Sequence, residues 1–416
     1  MTSECFVYIT LPGQTEPVTA GRFELTKDRR GLPVGHFVYG RRYRELADAV
    51  PLDPVELKLS DRVYETAALN GVFGALRDAG PDYWGRRIIE RHIGNPNLAE
   101  LDYLLHSPDD RAGALGFGLN QVPPAPSRKF NRTLDLARVQ ATADAIVADE
   151  PIPEGENGDQ IAKLLEVGTS MGGARPKAVV EDDDSLWIAK FNRQDDKWNN
   201  ARVEHAMLTL ARACGLAVAE SRLVEVAGRD VLLVKRFDRE KTGAGYSRAR
   251  MVSGLTLLRT DESPEGRDRW SYVLLVEELR RVSGEAPQDA RELFRRMVFN
   301  ALISNIDDHP RNHAIIAKDR EWRLSPAYDL TPTSPVAIEQ RDLALACGAQ
   351  GRFACRTNLA SESTRFFVPQ AQADAIIDEM ANRVSATWYD VARSCGVTEQ
   401  DCERISGAFV YPGFAS

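Results

Sequence analysis

Between residues 5 and 40, apolar positions come in short runs that stop at Gly or Pro: CFVYITL, VTAGRFEL and GHFVYG. Apolar runs of strand length broken by turn formers predict hairpin-rich β structure. Near 82–92 the spacing changes. Tyr83, Ile88 and Ile89 precede Gly94, which predicts a helix with a glycine stop. Proline and glycine then crowd QVPPAPSRKF (121–130) and DEPIPEGENGDQ (149–160), and both stretches read as linkers.

From residue 161 the order of elements becomes informative. GTSMGGARPKAVV enters a strand through a glycine-rich turn, EDDD (181–184) is an acidic hairpin tip, and LWIAKF (186–191) returns. In ARVEHAMLTLARACG, Val203, Met207, Leu210 and Cys214 recur at helical steps and Gly215 ends the helix. SRLVEV and VLLVKRF are two strands joined by a tight AGRD turn. Leu293, Phe294, Met297, Val298, Ala301 and Leu302 mark the buried side of a helix over about 288–306. That helix runs into NIDDHPRNHAII. HAIIAK and WRLSPAYDL then form a hairpin ending at Asp329, and the last fifty or so residues carry no motif.

At 416 residues the chain calls for two or three domains. Hydrophobic residues at 43% and charged ones at 27% describe a folded protein. A net charge of −8 argues against a surface that coats nucleic acid as a whole, though a local basic patch remains compatible. The six cysteines (Cys5, Cys214, Cys347, Cys355, Cys395, Cys402) show no C-x-x-C spacing, so reduced thiols in a cytoplasmic protein are expected. The N-terminus lacks the marks of a secretory signal. The longest apolar runs are strand-sized, so no membrane span is expected.

Phosphoryl transfer from ATP needs backbone donors over the phosphates, a cation, oxygen ligands for Mg²⁺ and a base near the acceptor hydroxyl. Gly168, Gly172 and Gly173 offer a loop whose amides approach phosphate closely, or a plain turn between strands. Lys190 lies on the strand after it and Glu204 on the next helix, which is the kinase layout or an ordinary surface pair. Asp307 and Asn312 reproduce the catalytic-loop spacing of a base and a metal-binding amide, and Asp329 supplies a second, anionic oxygen. Alternatively, Asp307 and Asp308 merely end a helix. Two acidic groups there would face the negative end of its dipole, a conflict that a cation relieves. His309 and His313 have zinc spacing, but Pro310 and the lack of a cysteine cluster speak against zinc. A metal-dependent hydrolase that uses the Asp cluster without ATP stays open, and it assigns no role to Lys190.

SMGGARPK, WIAKFN, KRFDR, NIDDHPRN and AYDL, in this order over roughly 160–330, resemble the HipA-like serine/threonine kinase toxins of bacterial type II toxin–antitoxin modules. The resemblance implies an α+β, two-lobed protein-kinase-like fold. It would comprise a β-rich N-terminal domain over 1–130, an N-lobe over 131–238 and a mostly helical C-lobe over 239–416. ATP and Mg²⁺ are the implied cofactors. Asp307 would be the catalytic base, with Asn312 and Asp329 as magnesium ligands. Gly172, Gly173, Ala174, Arg175, Pro176, Lys177 and Lys190 would hold the phosphates, and Lys235, Arg236 and Phe237 the adenine. His309, Pro310, Arg311 and Tyr328 complete the nucleotide side, and Ser170 is the implied autophosphorylation position. A small helix-turn-helix antitoxin (HipB-like), operator DNA bound through that complex, and a translation-related protein substrate such as glutamyl-tRNA synthetase are the implied partners. Asp308 departs from the family pattern, where a small residue is expected, and its charge bears on metal geometry. The runner-up is a nucleotide-binding repressor subunit with little kinase activity.

Overall fold

The alternating stretches of the first forty residues are strands β1 (Glu4–Thr10), β2 (Pro17–Lys27) and β3 (Pro33–Tyr39). With β4 (Tyr64–Thr66) and β5 (Leu115–Gly118) they form an antiparallel sheet of order β4-β3-β2-β1-β5. Val7, Ile9, Phe23 and Phe37 are buried, as the period-two pattern requires. The Tyr39 ring stacks on Tyr43, 5.8 Å between centroids. Its hydroxyl donates to the Leu57 carbonyl and accepts from the Leu52 amide at 2.8 Å, so this polar tip is satisfied inside the core.

The computed structural model describes residues 3–126, 131–132, 136–147, 175–334 and 337–415. By contacts they fall into two units, neither contiguous in sequence. One is Met1–Arg193 with Lys235–Val252 and Ile316–Glu321; the other is Gln194–Val234 with Ser253–Ile315 and Trp322–Ser416.

In the first unit the expected helix is Tyr83–Ile93, stopped by Gly94 at φ +71°. Asp82 caps it, one carboxylate oxygen accepting from the Gly85 amide at 2.7 Å. Its other oxygen takes the ammonium of Lys177 at 2.8 Å, and both side chains are buried. Lys177 opens the strand Lys177–Asp182, which turns through Asp183 and Asp184 into Ser185–Phe191. Both turn residues have positive φ (47° and 54°), the conformation a two-residue hairpin favours and aspartate tolerates. A buried charge cluster binds a second pair of segments together. Arg236 pairs with Asp110 and with Asp238, and Arg239 pairs with Asp238 at 2.8 Å. Burial opposes ionisation of Asp238, yet the two arginines hold its carboxyl well below the usual range.

The second unit is mostly helical, with Asn200–Ala213, Tyr272–Val282, Ala286–Leu302 and Gln370–Ser394 as its long elements. Leu293, Phe294, Met297, Val298, Ala301 and Leu302 are all buried, as their helical spacing predicts. The terminal stretch that carries no motif is a structural helix, Gln370–Ser394, packed on the helices Asn200–Ala213 and Ala286–Leu302. Among the described residues no helix is long and apolar enough to cross a membrane. The fold is of the α+β, kinase-like class that the sequence leads one to expect.

Candidate active site

The helix Ala286–Leu302 ends four residues short of the boundary its apolar pattern suggests. Ser304 takes φ +53°, the Asn305 amide donates back to Asn300 O at 2.9 Å and the Ser304 amide to Ala301 O at 3.2 Å. This is a Schellman stop built without glycine. Asp307 and Asp308 therefore lie beyond the last turn, where the helix dipole has faded, and the dipole conflict expected from the sequence does not arise. Instead the chain tightens into a loop. His309 N donates to Asp307 O at 2.8 Å, Asn312 N to His309 O at 2.9 Å, and Pro310–Asn312 make one 3₁₀ turn.

Asp308 turns inward, toward Tyr272 and His313. Its side chain is buried, and its Oδ2 accepts from the Tyr272 hydroxyl and lies 2.8 Å from His313 Nε2. Asn300 Nδ2 donates to the Tyr272 oxygen at 3.0 Å, and Asn305 Nδ2 to Asn300 Oδ1 at 3.1 Å. The residue expected to disturb metal geometry is thus the anchor of the loop. His313 packs edge-on to Tyr272, 5.3 Å between rings, as the last residue before the strand Ala314–Ala317.

Asp307 faces the other way and lines a cavity of about 470 Å³ with Ile306, His309, Trp270 and Leu343. Partial burial raises its carboxyl above the ordinary range. His309 offsets part of this, while Asp329 and Asp308 add to it by repulsion. Asp329 is therefore close to Asp307 although 22 positions separate them in sequence. Two features bring it there. Asp329 sits at φ +58°, and the neighbouring Tyr328 hydroxyl donates to Arg311 O at 2.7 Å, tying the AYDL segment to the loop. The Asn312 amide turns its nitrogen toward Asp307 O at 3.4 Å, leaving its oxygen as the acceptor end. Arg311 pairs with Glu262 at 2.8 Å, and the buried Nδ1 of His309 has no hydrogen-bond partner among the described residues.

Asp307, His309, Asn312 and Asp329 thus converge in the second unit. The remaining predicted residues are divided between the two units. Lys190 and Glu204 fall in different units. Lys177 is taken up by Asp82 rather than offered to a phosphate, because separating a buried pair leaves an uncompensated charge. Arg236 has both its guanidinium and its amide engaged, the latter donating to Leu186 O at 2.8 Å, so only its carbonyl is left for a ligand. Lys235 lies with its ammonium over the Trp187 ring at 5.7 Å. Arg175 and Pro176 are half-buried and buried at the start of the Lys177 strand. Gly172, Gly173, Ala174 and Ser170 lie outside the described residues. Tyr272, Asn300 and Asp82 carried no local signal in the sequence.

Could this donor set hold magnesium? Two carboxylates close enough to repel and one amide oxygen are hard ligands of the kind Mg²⁺ takes, with water and phosphate oxygens completing its shell. Among the described residues no three His, Cys, Asp or Glu side chains form a metal cage by themselves.

A family model described as the HipA-like C-terminal domain matches residues 169–388, just over half of the chain. A Sinorhizobium fredii protein named "Putative kinase Y4dM" is 36% identical over 171 residues, 38% of this chain and 40% of that protein. A Haemophilus influenzae protein named "Putative kinase" is 28% identical over 187 residues, 40% of this chain and 54% of that one. The chain therefore matches about half or less of these relatives' length. In the solved complex of the Shewanella oneidensis HipA, HipB toxin–antitoxin system with its operator DNA, one chain superposes with a TM-score of 0.69 at 16% identity, covering 96% of this chain and 95% of that one. At that identity the likeness is one of fold, while the family match rests on sequence. The chain belongs to the HipA-like family.

Proposed function

We propose that the protein is an ATP- and Mg²⁺-dependent protein serine/threonine kinase, the growth-arresting toxin of a HipA-type toxin–antitoxin module. What carries the reading is the meeting of Asp307 with Asp329 and Asn312 around one loop end. The repulsion between the two carboxylates, offset in part by His309, is of the kind that a bound cation relieves. Magnesium, held by Asp329 and Asn312, would supply charge neutralisation to the nucleotide phosphates. Asp307 would accept the proton of the acceptor hydroxyl as that oxygen bonds to the γ-phosphorus. The bond from the γ-phosphorus to the β–γ bridging oxygen breaks, and ADP leaves. The raised carboxyl of Asp307 makes it a better proton acceptor than an ordinary aspartate. Lys190, rather than the buried Lys177, is the cation assigned to the phosphates, and the backbone of Lys235 and Phe237 the adenine contact.

By the same reading a small helix-turn-helix antitoxin neutralises the kinase, their complex binds operator DNA, and Ser170 is the autophosphorylation site. The substrate would be a translation factor, with an aminoacyl-tRNA synthetase as the first to try. The test uses the full chain with labelled ATP and Mg²⁺. Transfer to Ser170 or to a protein in cell extract is expected from the wild type and not from Asp307→Ala, while Asp307→Ala retains nucleotide binding. Asp329→Ala should lose Mg²⁺-dependent ATP affinity in calorimetry. Undiminished transfer by Asp307→Ala would refute the assignment of the base.

A further inference from the structure

The kinase reading gives Asp307 a role but leaves part of its cavity without one. Two arginines, Arg267 and Arg352, line the same space. Arg352 donates from Nη2 to the backbone carbonyl of Arg267 at 3.0 Å, and the Arg267 guanidinium lies over the Trp270 ring, 5.4 Å from its centroid. These contacts hold both stems while leaving each planar fork with spare N–H donors. Among the described residues neither guanidinium has a carboxylate within ion-pair distance. Of the acids lining the same space, Glu262 is bridged by Arg311 at 2.8 Å, Asp342 accepts a hydrogen bond from the neutral Gln340 amide at 3.3 Å, and Asp307 is assigned as the base.

Resting on the kinase reading, we propose that Arg267 and Arg352 form an anion subsite for the acceptor polypeptide. The subsite takes a carboxylate side chain that flanks the hydroxyl presented to Asp307. Guanidinium forks match a carboxylate with two parallel hydrogen bonds, and here a pair of them stands beside the apolar side chains Ile306 and Leu343. An acidic segment approaching Asp307 and Asp329 would meet repulsion, and the arginine pair offsets it at the place where it arises. The ligand class is therefore a serine or threonine with Asp or Glu close by.

The experiment is a set of serine peptides with Glu at one flanking position, each matched by a Gln peptide, assayed with the full chain, labelled ATP and Mg²⁺. The readout is the Glu/Gln ratio of kcat/KM, which general damage to the fold does not move. The wild type should favour at least one Glu peptide by about tenfold, the size of one desolvated charge-assisted contact. In Arg267→Gln and Arg352→Gln the ratio should fall to about one. In Arg352→Glu the preference should pass to peptides with Lys at that position. A wild-type ratio near one at every position overturns the subsite while leaving the kinase reading standing. An unaltered ratio in both Gln variants does the same. Loss of ATP affinity in these variants with the ratio unchanged assigns the pair to the nucleotide instead and also overturns it. Absence of transfer to every peptide and to cell extract alike would take down the kinase reading, and this subsite with it.

Discussion

Changing Tyr272 to Phe removes a single oxygen from the support beneath the Asp307–Asn312 loop. Tyr272 is fully buried, its hydroxyl donates to Asp308 Oδ2, and it accepts from Asn300 Nδ2 at 3.0 Å. A hydrogen bond to a charged or strongly polar acceptor contributes about 1.5–3 kcal/mol, and a buried amide left without a partner costs about 1–3 more. The ring keeps its packing on His313, and the void left is smaller than a methyl group, so the cavity contribution is minor. Allowing for relaxation, the variant should lose about 2–4 kcal/mol of stability. Urea unfolding measures this as a lower midpoint at an unchanged slope, with the exposed Tyr389→Phe as the neutral control. Since Asp308 adjoins Asp307, the same variant should transfer phosphate more slowly while its KM for ATP stays put. A Tyr272→Phe protein within about 0.5 kcal/mol of the wild type would refute the claim that this network holds the loop.

Lys177→Met should behave as a stability variant, losing about 3–5 kcal/mol because it strands the buried Asp82 carboxylate, while the ATP affinity of the protein that remains folded is retained. Calorimetry on the folded fraction decides between this and a phosphate-binding lysine. Gly254→Ala should also destabilise. A Cβ there would lie 2.6 Å from Pro310 O, a backbone atom of the Asp307–Asn312 loop that cannot swing aside. A loss of about 1–3 kcal/mol is expected, read as a lower thermal midpoint. Asp307→Asn should do the opposite in metal-free buffer. The folded carboxyl titrates above its unfolded value, so its ionisation costs stability that is present at low pH and lost as pH rises through the folded pKa. The variant should therefore melt about a degree or two higher at neutral pH, with the gain vanishing toward pH 4.

Much of this fold was legible because its signals are local. The period-two runs marked β1 to β3, and Tyr83, Ile88 and Ile89 with the Gly94 stop marked a helix within a residue of its place. The proposed catalytic loop is a local signal too, since Asp307 and Asn312 lie five positions apart in one loop. The helix before it was read too long because its stop is a serine in a left-handed conformation, which no composition rule flags. Asp308 shows where local reading gives out. As a bare sequence it is a second charge crowding a metal site. In the folded chain it is a hydrogen-bond acceptor whose partner Tyr272 lies 36 residues upstream. The partner of Lys177 is equally remote, the Asp82 carboxylate lying 95 residues away. Asp329 was placed only through motif order. The asymmetry has a physical cause. Asp307, His309 and Asn312 share one short loop, so they cluster in sequence. The groups that hold that loop rigid need only be near in space, so the side of the loop that faces away from the chemistry stays invisible until the chain is folded.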